Sequence, residues 1–241
     1  MQHTSSTATV HKAFNSTSEK GLLKERAYRE IKELILTGVF PGGTFLSKRA
    51  LQARLEMSNT PIQSALERLQ AEGFVAISPQ QGVVVREFSV REIVDLMDIR
   101  VLLETFVVSQ LAGRLTPDQA KQLRATLKAQ GVAVEKGDAA RCTRLDADFH
   151  LMLADFLGNR EIIQVMRGFH DKMHRVTFGV LSQSMDRIRG NYKKLLEIAD
   201  AIIEGDAERA GIHMREHIEY GRQSLMSAQV GEALDGPFRR A

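Results

Sequence analysis

Residues 47–85 read SKRALQARLEMSNTPIQSALERLQAEGFVAISPQQGVVV and carry the clearest structural pattern in this 241-residue chain. Apolar residues recur at helical spacing in two short stretches, about 47–54 and 60–72, which are separated by a break at 56–59. Two runs rich in β-branched residues then flank a Pro- and Gly-containing turn at 78–82, which is typical of a hairpin. The stretch therefore predicts two helices followed by a two-stranded wing.

Capping residues predict where the second of these helices starts. Thr60 suits the N-cap, Pro61 suits the first helical position, and Gln63 stands three residues after Thr60, as in a capping box. Gln63 either closes that box or directs its amide to a DNA base, and Thr60 is a cap and phosphate contact rather than a base reader. Ser58 and Asn59 complete the tip, and Asn and Gln amides can pair bidentately with adenine. This tip is predicted to face DNA.

Helical periodicity on either side predicts the remaining organisation. A helix over about 20–37 precedes the pair, and the order helix, helix, helix, hairpin predicts a winged helix-turn-helix domain over 19–86. The polar residues 1–18 are predicted to form a disordered leader, and residues 229–241 a frayed tail. Residues 90–228 show only amphipathic helical patterns, so the predicted fold class is mainly α, with an all-α bundle for effector binding and dimerisation. The six predicted helices of the bundle cover about 90–113, 117–136, 138–157, 160–180, 185–204 and 206–227.

Charge and composition limit the function classes. The net charge of +3 lies in the first third of the chain: residues 1–18 contribute +1, residues 19–90 carry 10 basic and 8 acidic side chains, and the rest is neutral. That distribution suits a small DNA-binding module attached to a neutral domain. A single cysteine, Cys142, excludes an internal disulfide and a zinc finger, and no apolar run is long enough to span a membrane. A cytoplasmic location is predicted.

Three pairs of ionisable residues lie four positions apart on predicted helices: Asp146 and His150, His170 and His174, and His213 and His217. This spacing puts both side chains of a pair on one helix face. Carboxylate and imidazole together form a ligand mixture for Zn, Ni, Mn or Fe ions, and helical bundles can bring such ligands together. In the alternative interpretation His213 lies at the surface, and His170 and His174 pack or line a cavity.

Both halves of the chain resemble one family. The first domain resembles the GntR family of bacterial regulators, through Gly38, Pro41-Gly42, Leu46-Ser47, Leu51, Leu55, Ser58, Thr60-Pro61, Ala65-Leu66, Arg68-Leu69, Glu72-Gly73 and Gly82. The helical part resembles the FadR-type (FCD) effector domain of that family, through Arg100, Glu104, Asp146, Phe149-His150, Gly158-Asn159, Gly205-Asp206, Met214-Arg215 and His217. Together the two resemblances cover nearly all of residues 20–227.

The resemblance implies further DNA contacts. Arg49 is implied to contact a base, Lys48 and Arg68 to contact phosphates, and the wing tip from Gln80 through Gly82 to enter the minor groove. Asn59 and Gln63 stand where the family usually has Arg, and Lys48 where Glu is common, so the DNA sequence that is read need not be the family's usual one. The predicted DNA-binding residues are Lys48, Arg49, Ser58, Asn59, Thr60, Gln63, Arg68, Gln81 and Gly82.

The resemblance also implies a metal site with one Asp and three His. Three of the implied ligands are present as Asp146, His150 and His217. The fourth position falls on Leu195, which cannot ligate a metal, so the implied site is incomplete. Water or the effector completes a three-ligand site, or His213 or His174 substitutes, or the polar groups bind the effector directly without a metal.

Arg100 is the residue that the resemblance places at the effector cavity. A guanidinium binds a carboxylate through a planar fork, so a small carboxylate metabolite is the implied effector. The alternative is a salt bridge between Arg100 and Glu104, four residues later. The predicted effector-binding residues are Arg100, Asp146, His150 and His217.

The predicted function is a DNA-binding repressor rather than an enzyme. Two recognition helices must meet two half-sites of an operator, which predicts a homodimer on double-stranded DNA, and effector binding would change how the two halves are held. Two other function classes compete with this prediction. The Asp/His cluster could activate water in a metal-dependent enzyme, or the chain could be an architectural protein without an effector.

Overall fold

The computed structural model describes residues 7–78, 82–181 and 184–234, with side chains over 21–78, 82–179, 181 and 184–227. The chain divides into two compact units between Glu87 and Phe88. Both are mainly helical with one small sheet in the first unit, which confirms the predicted fold class. Among the described residues, no helix has the length and apolar character that crossing a membrane requires.

The first unit combines helices with a three-stranded antiparallel sheet of order β1-β3-β2. Its elements are α1 (Thr7–Leu36), β1 (Phe45–Leu46), α2 (Lys48–Leu55), α3 (Asn59–Ala71), β2 (Val75–Ser78) and β3 (Gly82–Val85). The predicted hairpin is confirmed, with Val75 opposite Val85 and Ser78 opposite Gly82. Strand β1, which pairs Phe45 with Val84, was not predicted, because two residues are too short to show alternation.

Helix α1 starts earlier than predicted. It begins at Thr7, so the leader predicted to be disordered over 1–18 is helical from that residue onwards. Neither proline nor glycine occurs between residues 7 and 20, so the sequence there contains no strong helix breaker. The first six residues lie outside the described part of the chain.

The start of α3 also differs from the prediction. Ser58 is the N-cap and α3 begins at Asn59, so the prediction of Thr60 as the cap was wrong by two residues. Gln63 does not close a capping box, since its Nε2 donates to Glu67 Oε1 at 2.7 Å. Ser, Asn and Thr are all favoured N-caps, so three such residues in succession leave the register of the helix start ambiguous.

The described part of the second unit is a bundle of six helices. They are α4 (Val90–Leu111), α5 (Pro117–Glu135), α6 (Ala139–Leu157), α7 (Arg160–Leu181), α8 (Met185–Glu204) and α9 (Ala207–Leu234). Every start lies within one residue of its prediction, because the caps are well marked: Ser89 with Glu92, and Thr116 with Gln119, form capping boxes. The largest difference at the C-terminal ends is in α9, which continues into the predicted tail as far as Leu234.

A close backbone approach fixes the ends of α4 and α8. Gly205 caps α8 with φ +83°, and Gly113, with φ +69°, donates its N–H to the carbonyl of Ile202 at 2.9 Å. A Cβ on Gly113 would lie 3.3 Å from the Cα of Gly205, closer than a Cβ usually approaches. Glycine serves both needs, since it tolerates positive φ and leaves room for the neighbouring backbone. Both helices contribute buried side chains to one core.

Candidate functional site

A cluster of buried polar side chains lies within the helical bundle of the second unit. Each member is 6% exposed or less, although the surrounding core is apolar. Buried polar groups of this kind persist in proteins when they are paired or functional. The members are Arg100 and Glu104 from α4, Asp146 and His150 from α6, Asn191 from α8, and His217 from α9.

The structure brings the three predicted metal ligands together. The Nε2 atoms of His150 and His217 lie 2.9 Å apart, and Oδ1 of Asp146 lies 3.9 Å from Nε2 of His217. Each residue offers one ligand atom, and the three atoms lie within 4.8 Å of one another. Asp146 and His150 share one helix face, as their spacing predicted. They lie next to a histidine from a helix about 70 residues later.

Glu104 connects this cluster to Arg100. Its Oε1 accepts from Nε of Arg100 at 2.6 Å, and its Oε2 lies 2.5 Å from Nδ1 of His150. Burial acts to raise the pKa of Glu104, but Arg100 and His150 outweigh it and hold that pKa well below its usual range. The alternative salt bridge between Arg100 and Glu104 is therefore present, and the same carboxylate also orients His150.

The carboxylate of Glu104 beside Nδ1 favours one tautomer of His150. If Nδ1 carries the hydrogen that Glu104 accepts, Nε2 keeps its lone pair and can ligate a metal ion. Burial, reinforced by His150 and Arg100, lowers the pKa of His217 well below its ordinary value. His217 is therefore neutral at ordinary pH, which is the protonation state that a metal ligand needs.

Leu195, at the position that the resemblance implied for a fourth ligand, is fully buried on α8. One turn earlier, Asn191 donates from Nδ2 to Oδ1 of Asp146 at 2.6 Å. We did not predict Asn191 from the sequence. Its signal was present, because Asn191 interrupts the otherwise apolar stripe of Ile188, Leu195 and Ile198.

The two histidines considered as substitutes do not join the ligand atoms. The cluster of possible metal ligands found among the described side chains contains neither His174 nor His213. His213 is half-buried and lies 3.9 Å from Glu197 and 3.7 Å from Glu216. His174 instead lines the neighbouring cavity.

That cavity borders the cluster and offers about 20 Å³ of space to a water-sized molecule. Burial acts to lower the pKa of His170, but the nearby carboxylates of Asp148 and Asp171 raise it to about 9, so His170 is a cation near neutral pH. Polar and apolar side chains both line the space, as in sites for small polar metabolites. The lining residues are Arg100, Glu104, Asp146, Ala147, His150, Leu151, Met166, Phe169, His170, Met173, His174 and Thr177.

Most of the predicted DNA-binding residues lie on exposed parts of the first unit. Those at the start of α2 and at the tip of α3 are solvent-exposed, except for Gln63, which is half-buried. Gly82 is exposed at the start of β3, whereas Gln81, with Pro79 and Gln80, lies outside the described residues. The exposed residues of the two helix starts are Lys48, Arg49, Ser58, Asn59 and Thr60.

Arg68 is placed differently from the other predicted DNA contacts. Its guanidinium lies 3.5 Å from the ring centroid of Tyr28 on α1. Nη1 is 2.9 Å from Glu25, and Nε is 3.2 Å from Glu72. Arg68 therefore fastens α3 to α1, near the end of α3 opposite its N-terminal tip.

Both units match known protein families. Residues 23–85 match the bacterial regulatory proteins of the gntR family, and residues 95–220 match the FCD domain. The HTH-type transcriptional repressor RspR of Escherichia coli K12 is 25% identical over 220 residues, which cover 90% of this chain and 93% of RspR. The gluconate operon transcriptional repressor of Bacillus licheniformis is 26% identical over 171 residues, covering 71% of this chain and 69% of that protein.

A solved structure supports the same fold. That of E. coli McbR/YncC superposes with a TM-score of 0.75 at 22% sequence identity, covering 86% of this chain and 98% of the other. The family match over residues 95–220 alone spans more than half of the chain. The chain therefore belongs to the GntR family of DNA-binding transcriptional regulators, and its second unit is an FCD effector-binding domain.

Proposed function

We propose that this regulator is a repressor whose operator binding is controlled by a small carboxylate, held at a divalent metal ion bound by Asp146, His150 and His217. It acts on double-stranded DNA in the cytoplasm and not as an enzyme. One observation carries the proposal: Asp146 and His150 belong both to the cluster of metal-ligand atoms and to the cavity wall. A molecule in the cavity can therefore reach the open side of that cluster.

The donor atoms suit a transition metal. One carboxylate and two imidazoles are ligands for Zn, Ni, Mn or Fe, and a site with so few protein ligands leaves positions open for other molecules. When bound, the metal ion would supply a Lewis-acidic contact for a carboxylate oxygen. Arg100 and the cationic His170 lie on the same wall as the carboxylates of Glu104 and Asp146, so the charge of the metal ion would be the excess positive charge there. Together these groups favour a small anion over a neutral ligand.

Metal binding should depend on the cluster and not on histidine content. We expect Asp146→Ala and His217→Ala to weaken Ni²⁺ or Mn²⁺ binding by more than about 100-fold. Each substitution removes a metal ligand itself, which costs more affinity than removing a residue that only hydrogen-bonds to a ligand. His213→Ala is the matched control, since it removes a histidine from the same helix outside the cluster. Isothermal titration and metal analysis of the purified protein measure this. Equal binding by all three variants and the wild type would contradict the site.

A thermal-shift screen of carboxylate metabolites, with and without Ni²⁺ or Mn²⁺, tests the effector. A ligand at 100 times its Kd stabilises a protein by about 2.7 kcal/mol, which such a screen detects. We expect the largest stabilisation when carboxylate and metal are both present, and its loss in Arg100→Met. If no carboxylate shifts the metal-loaded protein, the proposed effector class is wrong. Turnover of a small molecule by the protein without DNA would favour an enzyme instead.

An exposed apolar stripe on α4 supports the homodimer. Leu102 is 71% exposed and Phe106 is 49% exposed, and Ile99 continues the stripe one turn earlier. Residues three and four apart share a helix face, so the three side chains form one surface. Arg100 and Glu104 lie on the opposite, buried face. A second copy of the chain can cover this stripe by a symmetric contact.

Breaking the stripe should separate the protomers. We expect Leu102→Glu to weaken dimerisation by about 100-fold or more, because burying one such side chain contributes about 1.5–3 kcal/mol and the symmetric interface contains it twice. Val132→Glu on α5 is the control, since Val132 is an exposed apolar residue outside the stripe. Light scattering after size-exclusion chromatography reports the mass. A Leu102→Glu protein that remains dimeric at low concentration would place the interface elsewhere.

Dimerisation explains how an effector bound in the second unit can change operator affinity. Two recognition helices bind two half-sites only at a fixed separation. A carboxylate that binds one arrangement of the protomers more tightly shifts the population towards that arrangement, by no more than its difference in affinity. If that arrangement misaligns the two α3 helices, the operator is released.

A further inference from the structure

We propose that the side-chain oxygen of Asn191 is the fourth protein ligand of the metal ion at Asp146, His150 and His217. It supplies the ligand atom that the side chain of Leu195 lacks. The inference rests on the proposed metal site and adds to it a residue from α8. It follows from the place of Asn191 in the buried cluster.

The position of Asn191 is the first observation. Its side chain is 4% exposed, and its amide end lies 2.6 Å from Oδ1 of Asp146, which is one of the three clustered ligand atoms. Neighbouring ligand atoms around a transition metal, each about 2.1 Å from it, lie about 3 Å apart when they subtend a right angle. The amide of Asn191 is therefore near enough to Asp146 to share one cation with it.

The chemistry of the amide is the second observation. An Asn side chain has an oxygen acceptor on one side and an NH₂ donor on the other, and half a turn about its last bond exchanges the two. The carboxylate of Asp146 accepts a hydrogen bond from the NH₂ group. With a cation on Asp146, the same position favours the oxygen, because the NH₂ hydrogens would face positive charge.

The surroundings of Asn191 argue against a purely structural role. Its neighbours on the buried face of α8 are apolar: Ile188, Leu195 and Ile198. A buried amide among them costs free energy unless it is hydrogen-bonded, and an apolar side chain would avoid that cost. The side-chain amide of Asn191 hydrogen-bonds to Asp146, so it interacts with the cluster of ligand atoms.

The resulting ligand set would alter the choice of metal. Asp146 and Asn191 provide two oxygens, and His150 and His217 provide two nitrogens. Carboxylate and carbonyl oxygens suit Mn²⁺, whereas imidazoles suit Zn²⁺, Ni²⁺ and Fe²⁺. Exchanging one imidazole for an amide oxygen is therefore expected to raise Mn²⁺ affinity relative to Zn²⁺.

Titration of the full-length protein with Co²⁺ tests the assignment, because its visible absorption bands report the ligand atoms. Asn191→Leu should bind Co²⁺ at least tenfold more weakly than wild type and show altered bands, since water replaces the lost oxygen. Gln130→Leu is the matched control: it removes another amide that is 1% exposed, and Gln130 bonds to the carbonyl of Cys142 outside the cluster. Its affinity and bands should match those of the wild type.

Asn191→Asp keeps an oxygen at this position and guards against loss of folding in Asn191→Leu, which circular dichroism would reveal. It should bind Co²⁺ at least as tightly as the wild type, and weaker binding would overturn the inference. Unchanged affinity in Asn191→Leu would also overturn it, as would weaker binding with unchanged bands, since Asn191 would then only hold Asp146 in place. If the wild type takes up no Co²⁺, or Asp146→Ala and His217→Ala bind as the wild type does, the proposed metal site itself is wrong.

Discussion

Replacing Glu104 with leucine should lower the free energy of unfolding of the effector domain by about 3–5 kcal/mol, the usual cost of removing one partner of a buried ion pair. Glu104 is 2% exposed and contacts both Arg100 and His150. Its loss leaves the guanidinium of Arg100, which is 5% exposed, without the carboxylate it bonds to, and removes the carboxylate beside Nδ1 of His150. Urea-induced unfolding followed by circular dichroism measures the change.

A double variant separates loss of charge balance from loss of packing. Arg100→Met with Glu104→Leu removes both charges and keeps apolar volume, and replacing a whole buried pair in this way is often neutral or stabilising. We therefore expect the double variant to recover most of the stability that Glu104→Leu loses. A Glu104→Leu protein within about 1 kcal/mol of the wild type would show that Arg100 finds another anion or water.

Alanine at Arg49 or Asn59 should weaken specific operator binding by about 1–3 kcal/mol each, on the order of 5- to 150-fold in Kd. Both side chains are exposed, Arg49 at the start of α2 and Asn59 at the first position of α3. Base contacts carry sequence preference, whereas phosphate contacts do not, so binding to unrelated duplexes should change less. Fluorescence anisotropy on a duplex selected from a random library by the wild type measures both affinities.

Arg68→Ala is the matched control for Arg49→Ala, because it removes the same charge from the same unit. Arg68 is held between Tyr28, Glu25 and Glu72, so its loss should reduce the stability of the winged domain more than its operator affinity. An Arg68→Ala protein that folds normally but binds the operator as weakly as Arg49→Ala would restore Arg68 as a DNA contact. Unchanged operator affinity in both Arg49→Ala and Asn59→Ala would refute the assigned base contacts.

The sequence predicted the helices of the second unit well because their ends are chemically marked. Ser89 and Thr116 are N-caps with capping boxes, and Gly158 and Gly205 end their helices in the left-handed conformation. The start of α3 was less predictable, since neighbouring residues are equally good caps. Strand β1 owes its existence to a tertiary contact with β3, which a two-residue pattern cannot show.

The candidate site was predictable where local spacing determines it and not where packing does. Asp146 and His150 share a helix face, and the family resemblance supplied His217. The roles of Glu104 and Asn191 depend on how α4 and α8 pack against α6, because each contacts a residue on that helix. Only a folded arrangement shows that Arg100 can pair with Glu104 and still line the cavity.

Helix α4 has a mechanical consequence. Its 22 residues make a rod of about 33 Å that is continuous from Ser89, just after the junction with the winged domain, past Arg100 and Glu104 to Leu111. A rod of that length converts a tilt of about 5° into a displacement of about 3 Å at its far end. A carboxylate that tilts α4 about Arg100, which lies about 15 Å from Val90, would move the N-terminal end of the helix by about 1.3 Å, and the chain continues from that end into the winged domain.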